Sequence, residues 1–201
     1  MPVGSEAEMS AVLPQEEQAR ADNYRLLARL LAGPPDSGTL ATLRVIEAGD
    51  GPMAPLWREL RQAAQETDSL RVEDEYNRLF IGLGRGEVLP YASWYLTGFL
   101  MEKPLAELRS VLAGLGFVRQ EGVAEPEDHA AALCEVMGLI ISANELSLEQ
   151  SRVFFDSFLG SWLQRFFQDL ETAESAAFYR AVGRLGQRVM EIEQEYFSMP
   201  A

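Results

Sequence analysis

The sequence predicts an all-α fold, a compact bundle of about eight or nine helices, and three observations carry that expectation. Apolar residues recur at three- and four-residue spacing through most of the chain. No stretch alternates apolar and polar residues as a half-buried strand does, and there is no internal repeat or low-complexity tract. Apolar residues make up 47% of the 201, enough to bury a substantial core. Residues 1–13 carry Glu6 and Glu8, no basic residue and no long apolar run. They read as a flexible tail rather than a signal peptide. Residues 14–201 read as one helical domain.

The elements follow in order. Tyr24, Leu27 and Leu31 share one face of a first helix, which Gly33-Pro34-Pro35 stops. A second helix is expected from Ser37 to Ala48, ended by Gly49-Asp50-Gly51-Pro52, and a third from Pro55 to Thr67. Val72, Tyr76, Leu79 and Phe80 mark the apolar face of a fourth. Gly82, Gly84, Gly86 and Pro90 then break any period, so residues 82–90 form a loop. An aromatic cluster follows: Tyr91, Trp94, Tyr95 and Phe99. Lys103-Pro104 opens a helix to about Leu115, closed by Gly116, and residues 117–125 make a polar link. The next helix is expected to begin at Pro126, where a missing N–H costs nothing, with Asp128 in its first turn. From Ser147 to Leu170 the apolar arc is wide, from Phe154 to Phe167, as in one buried central helix. Phe178, Val182, Leu185, Val189, Ile192 and Tyr196 stripe the last helix.

Charge and composition exclude several functions. A net charge of −14 opposes general nucleic-acid binding and attachment to anionic membranes. It suits a cationic partner, and it also suits a protein that is merely soluble. One cysteine, Cys134, cannot form an internal disulfide. No apolar stretch reaches the roughly 18 residues of a membrane span, so a cytoplasmic protein is expected.

The chain has a single histidine, His129, within Glu125-Pro126-Glu127-Asp128-His129. A nucleophilic triad would have to use it, yet there is no Gly-x-Ser-x-Gly elbow. One histidine and one cysteine are too few for a zinc site, and a di-iron bundle needs two Glu-x-x-His helices. No phosphate-cradling Gly-x-x-x-x-Gly-Lys motif is present. Asp128 and His129 therefore read either as a helix cap with a satisfied histidine, or as a polar hot spot that receives a cationic guest on an apolar groove. Tyr76, Leu79 and Phe80 likewise read either as core or as part of a groove wall.

Three motifs together carry a family resemblance. They are Glu75-Tyr76-x-x-Leu79-Phe80, then Gly86-Glu87-Val88-x-Pro90-Tyr91-x-Ser93-x-Tyr95, then Glu125-Pro126-x-Asp128-His129. The combination resembles the TorD/DmsD/NarJ family of cytoplasmic chaperones dedicated to molybdoenzymes, the redox enzyme maturation proteins. The likeness runs in order from about Tyr24 to Phe167.

The resemblance implies a TorD-like fold and a function. Family members are not enzymes. They bind the twin-arginine signal peptide of an apo-molybdoenzyme, often with its mature part, and hold back export until the molybdopterin cofactor is inserted. The family's peptide-binding positions fall on Tyr76, Leu79, Phe80, Pro90, Tyr91, Asp128 and His129. An acidic rim around an aromatic groove would take both the arginines and the apolar segment after them. No cofactor of its own is implied beyond transient contact with the molybdenum cofactor or GTP. The family includes monomers and domain-swapped dimers, and a hinge would fall in residues 116–125.

The sequence departs from the family at Phe158, where many members carry a histidine, and at Tyr76, where some carry Trp. The client enzyme is not legible. Two alternatives remain beside the chaperone reading. One is a nucleotide-binding or enzymatic helical protein that uses His129 and the 82–90 loop. The other is a plain helical adaptor whose apolar stripe is all core.

Overall fold

The computed structural model describes residues 13–101, 103–118, 126–143 and 147–199. The expected tail lies almost wholly outside the described residues, as does most of the expected hinge. Ten α-helices and one π turn form within the described residues, and no strand does. The all-α expectation holds. The helix number exceeds it because of an extra short helix after the glycine loop and a break in the expected central helix.

Helix α1, Gln15–Ala32, is the axis of the fold and buries Tyr24, Leu27 and Leu31 as its periodicity requires. It lies along α7, Ala130–Ser142. Gly138 permits the close approach, because a Cβ there would sit 3.3 Å from the Ala21 carbonyl oxygen. Helix α2, Ser37–Arg44, is shorter than expected and packs on α3, Ala54–Glu66. Asp36 caps α2, accepting from the Thr39 N–H at 2.7 Å. Asp68 caps α4, Ser69–Tyr76, in the same way.

After α4 the chain widens into a π turn, Asn77–Ile81, closed by Gly82 N–H donating to the Asn77 carbonyl at 2.7 Å. The glycine loop then folds back under this turn. Val88 N–H donates to the Leu79 carbonyl at 2.9 Å. Gly82 has a φ of +61°, and a Cβ on Gly86 would fall 2.5 Å from the Leu79 carbonyl oxygen. Gly82 and Gly86 thus serve the close packing of the loop backbone.

The loop leads into α5, Ala92–Thr97, which gave no periodic signal because it is only six residues long. Helix α6, Lys103–Gly114, matches the expected element. Helix α7 begins at Ala130 rather than at Pro126, for a reason that belongs to the site below. The expected helix from Ser147 to Leu170 is two helices: α8, Leu148–Phe158, and α9, Leu163–Thr172. They are separated at residues 159–162, where Gly160 packs against the Phe155 ring and Trp162 leaves helical geometry. Ser147 and Gln150 form a capping box at the start of α8.

Helix α10, Phe178–Ser198, packs on α9 and α3. A Cβ on Gly186 would lie 2.3 Å from the Phe167 ring, so the α9–α10 contact requires glycine. The start of α10 is capped from a distance. The buried Glu75 carboxylate accepts the N–H groups of Ala177, Phe178 and Tyr179 at 2.7–3.0 Å. At the other end of α1, the Tyr76 and Tyr179 hydroxyls donate to the Leu31 and Leu30 carbonyls at 3.1 and 2.9 Å. These carbonyls belong to the helix's last turns, where acceptors would otherwise lack partners. One continuous apolar cluster joins these helices.

Candidate functional site

The site is built where the second and third motifs meet. Ala130 N–H donates to the Pro90 carbonyl at 2.8 Å, and Ala92 N–H donates to the Asp128 carbonyl at 3.0 Å. Between them Tyr91 and His129 form an isolated antiparallel bridge. The Asp128 side chain completes the junction, accepting the Ser93 N–H on Oδ2 at 3.0 Å. Asp128 therefore caps α5, not the helix that follows it in sequence. This overturns its expected place in a first helical turn, and it explains why Pro126 does not open α7. Residues 126–129 are engaged with 90–93 instead.

His129 itself caps α7, with Nδ1 accepting the Ala131 N–H at 3.1 Å. That hydrogen bond places the imidazole proton on Nε2. The Tyr91 and His129 rings meet edge to face, with centroids 5.1 Å apart. Arg109 of α6 braces the same turn through a bidentate ion pair with Glu127 at 2.8–3.0 Å.

The junction opens onto a cleft of about 500 Å³. One wall is α1, with Arg25, Ala28, Arg29 and Ala32. The π turn and the residue before it supply Tyr76, Phe80 and Ile81. The motif junction supplies Pro90, Tyr91, Pro126 and His129, and α7 supplies Ala131, Ala132 and Glu135. Tyr76 and Phe80 stack on each other with centroids 4.8 Å apart, and both contact Tyr179. Burial pushes the Tyr179 hydroxyl well above the ordinary tyrosine range, so it stays protonated as a donor.

Five of the seven residues expected at a binding site thus line one cleft: Tyr76, Phe80, Pro90, Tyr91 and His129. Leu79 and Asp128 do not. Leu79 is fully buried and belongs to the core. Asp128 is 1% exposed and turns toward the start of α5. Tyr76 and Phe80 are mostly buried as well, at 9% and 8%, but the exposed part of each faces the cleft. Among the described residues no acidic rim lines this cleft. Its lining holds two arginines, each paired with an aspartate, and one carboxylate.

Sequence reasoning missed Arg25, Arg29 and Glu135, because all three read as the solvent side of amphipathic helices. Phe158 lies elsewhere. It ends α8, stacks on Phe154 at 5.3 Å, and accepts from the Trp162 indole N–H through its carbonyl at 2.7 Å.

Two further features bound the chemistry. Cys134 is buried and its thiol is pushed up to about 12 by desolvation, so it is not a nucleophile at neutral pH. Among the described residues no group of three His, Cys, Asp or Glu side chains could hold a metal ion, and no helix is long and apolar enough to cross a membrane. At the end of α5 and just beyond it a run of apolar side chains stays exposed: Leu96, Phe99, Leu100 and Met101.

Comparison with known proteins extends the picture. Residues 47–168 match the family model described as nitrate reductase delta subunit. A chaperone protein TorD from Vibrio parahaemolyticus is 29% identical over 138 residues, which is 63% of this chain and 64% of that protein. The chain therefore spans under two thirds of that relative's length. A chaperone protein TorD from Shewanella loihica is 27% identical over 201 residues, covering 89% of this chain and 92% of that one. A crystal structure from Archaeoglobus fulgidus, described as a redox enzyme maturation protein, superposes with a TM-score of 0.58 at 19% identity. That likeness covers 92% of this chain and 99% of the other, and it concerns the fold.

Proposed function

The chain belongs to the nitrate reductase delta subunit family, which includes the TorD and NarJ chaperones, and from that premise we propose that it is a dedicated maturation chaperone for a molybdopterin-containing oxidoreductase. It binds the twin-arginine signal peptide of the apo-enzyme, with or without its mature part, and delays export until the cofactor is in place. The curated relatives carry a chaperone's name and not an enzyme's. The work is done in the cytoplasm, before export, without a cofactor held by the chaperone.

One observation carries the reading. Residues from three separated stretches, Tyr76 with Phe80, Pro90 with Tyr91, and His129, converge on a single cleft with an aromatic floor. A guanidinium can lie against such rings, and an apolar segment can bury itself beside them. Leu79 and Asp128 contribute by holding the cleft in shape, Leu79 from the core and Asp128 through α5. The exposed apolar run at Leu96 to Met101 lies at the far end of α5, whose first residues follow Tyr91.

The test is calorimetric titration with synthetic twin-arginine signal peptides. The proposal expects micromolar or tighter binding, weakened by salt, and reduced at least about tenfold in Tyr76→Ala and in Phe80→Ala. Binding unchanged in both variants, with the fold intact by circular dichroism, rules this cleft out as the peptide site.

A further inference from the structure

The charges that face the cleft are unevenly placed. On the α1 wall stand Arg25 and Arg29, four residues apart on one face. Arg25 is held by Asp22 at 2.9 Å, and Arg29 reaches Asp36 at 3.4 Å. On the α7 wall stands Glu135, exposed and without an ion-pair partner among the described residues. It shares the helix face of Ala131 and Ala132, which line the cleft with it. Asp128 stands outside the cleft lining, with Oδ1 buried and without a hydrogen-bond partner among the described residues. It is 1% exposed, and its other oxygen is committed to Ser93.

We propose that Glu135 is the specificity-determining carboxylate of this cleft: it pairs with one guanidinium of a bound twin-arginine segment, while Arg25 and Arg29 repel a second. The inference rests on the peptide-binding reading above and adds the residue and the number of arginines bound. A carboxylate and a guanidinium form a bidentate, charge-assisted pair. The small side chains of Ala131 and Ala132 leave room beside Glu135, and the aromatic rings that line the same cleft supply a face for the planar group. The two α1 arginines are the repulsive element that complements this attraction. Of two adjacent arginines, one enters toward Glu135 and the other stays outside.

A double-mutant cycle tests this directly. The full chain and its Glu135→Gln variant are titrated with a twin-arginine peptide and with peptides in which either arginine is replaced by Gln. Glu191→Gln, an equal charge change on α10 away from the cleft, is the control. The expected result is a Kd raised about tenfold in Glu135→Gln and unchanged in the control. Replacing one peptide arginine should weaken binding to the unsubstituted protein about tenfold, with no further loss in Glu135→Gln. Replacing the other should cost nothing and change the Kd by the same factor in both proteins. Coupling at neither position overturns the assignment of Glu135, and coupling at both overturns the exclusion by Arg25 and Arg29. If the unsubstituted protein binds no twin-arginine peptide, the peptide reading itself falls, and this inference with it.

Discussion

At the scale of single residues, the most informative is Asp128, because its carboxylate serves a helix 35 positions earlier in the chain. Asp128→Ala removes the acceptor for the Ser93 N–H and should destabilise the protein by about 1–2 kcal/mol, as loss of a helix cap does. Asp128→Asn keeps a side-chain oxygen for that hydrogen bond and should retain most of the stability. Thermal unfolding of the two variants separates the structural role from a charge role. A loss in Asn equal to that in Ala would contradict the capping account. His129 is similar, since its Nδ1 is committed to capping α7. The sequence made both residues conspicuous, as the only histidine and its acidic neighbour. It could not show where the carboxylate points, because that depends on a partner far away in sequence. Glu135 illustrates the reverse: a lone exposed glutamate on a helix looks like solvated surface until α1, α7 and the motif junction are seen to line one cleft with it.

Single elements explain which parts of the fold were legible. Long amphipathic helices, α1, α3, α6 and α10, announce themselves by period and by their Pro or Gly punctuation. The expected central helix failed for a physical reason. Its apolar arc was wide because α8 and α9 bury different faces, and Gly160 marks the break between them. Breadth of arc within a Gly-containing stretch is thus a sign of two helices. Helix α5 is too short to show a period. The π turn alters the spacing of the Tyr76 to Phe80 stripe, so that Leu79 enters the core while Phe80 reaches the cleft.

Two predictions belong at this scale. Glu75→Ala leaves three N–H groups at the start of α10 without their acceptor and should destabilise the protein by roughly 3 kcal/mol or more, measured by urea unfolding. Gly186→Ala drives a methyl into the Phe167 ring and should cost about 1–3 kcal/mol. A neutral outcome for Glu75→Ala would contradict the capping of α10, and one for Gly186→Ala would show that the α9–α10 packing adjusts more freely than the geometry implies.

For the molecule as a whole, α1 and α10 are joined by a buried ion pair. The Arg20 guanidinium meets Glu193 at 2.7 and 2.8 Å and stacks on the Tyr196 ring at 4.1 Å. Burial opposes the charge on Arg20, but Glu193 and Glu17 more than offset it and raise its pKa. Arg20→Ala strands the Glu193 carboxylate and should cost roughly 3–5 kcal/mol. The buried Cys134 adds a pH dependence. Its thiol is pushed up to about 12 in the folded state from an ordinary value of 9.0. Above pH 9 the unfolded chain therefore releases a proton that the folded chain keeps, and stability falls as pH rises toward 12. Tyr95 adds to this trend at still higher pH, since burial and its hydrogen bond to Asp169 raise its pKa. Stability that stayed flat from pH 9 to 11 would contradict this account.

The central claim, that the cleft beside the motif junction receives a twin-arginine peptide, has a natural reporter. His129 is the only histidine in the chain, so its imidazole signals in an NMR spectrum need no assignment. The account predicts that a twin-arginine signal peptide shifts these signals saturably, with a matching affinity from calorimetry, and that Phe80→Ala abolishes the shift. Tight binding of the peptide with the His129 signals unmoved would contradict it.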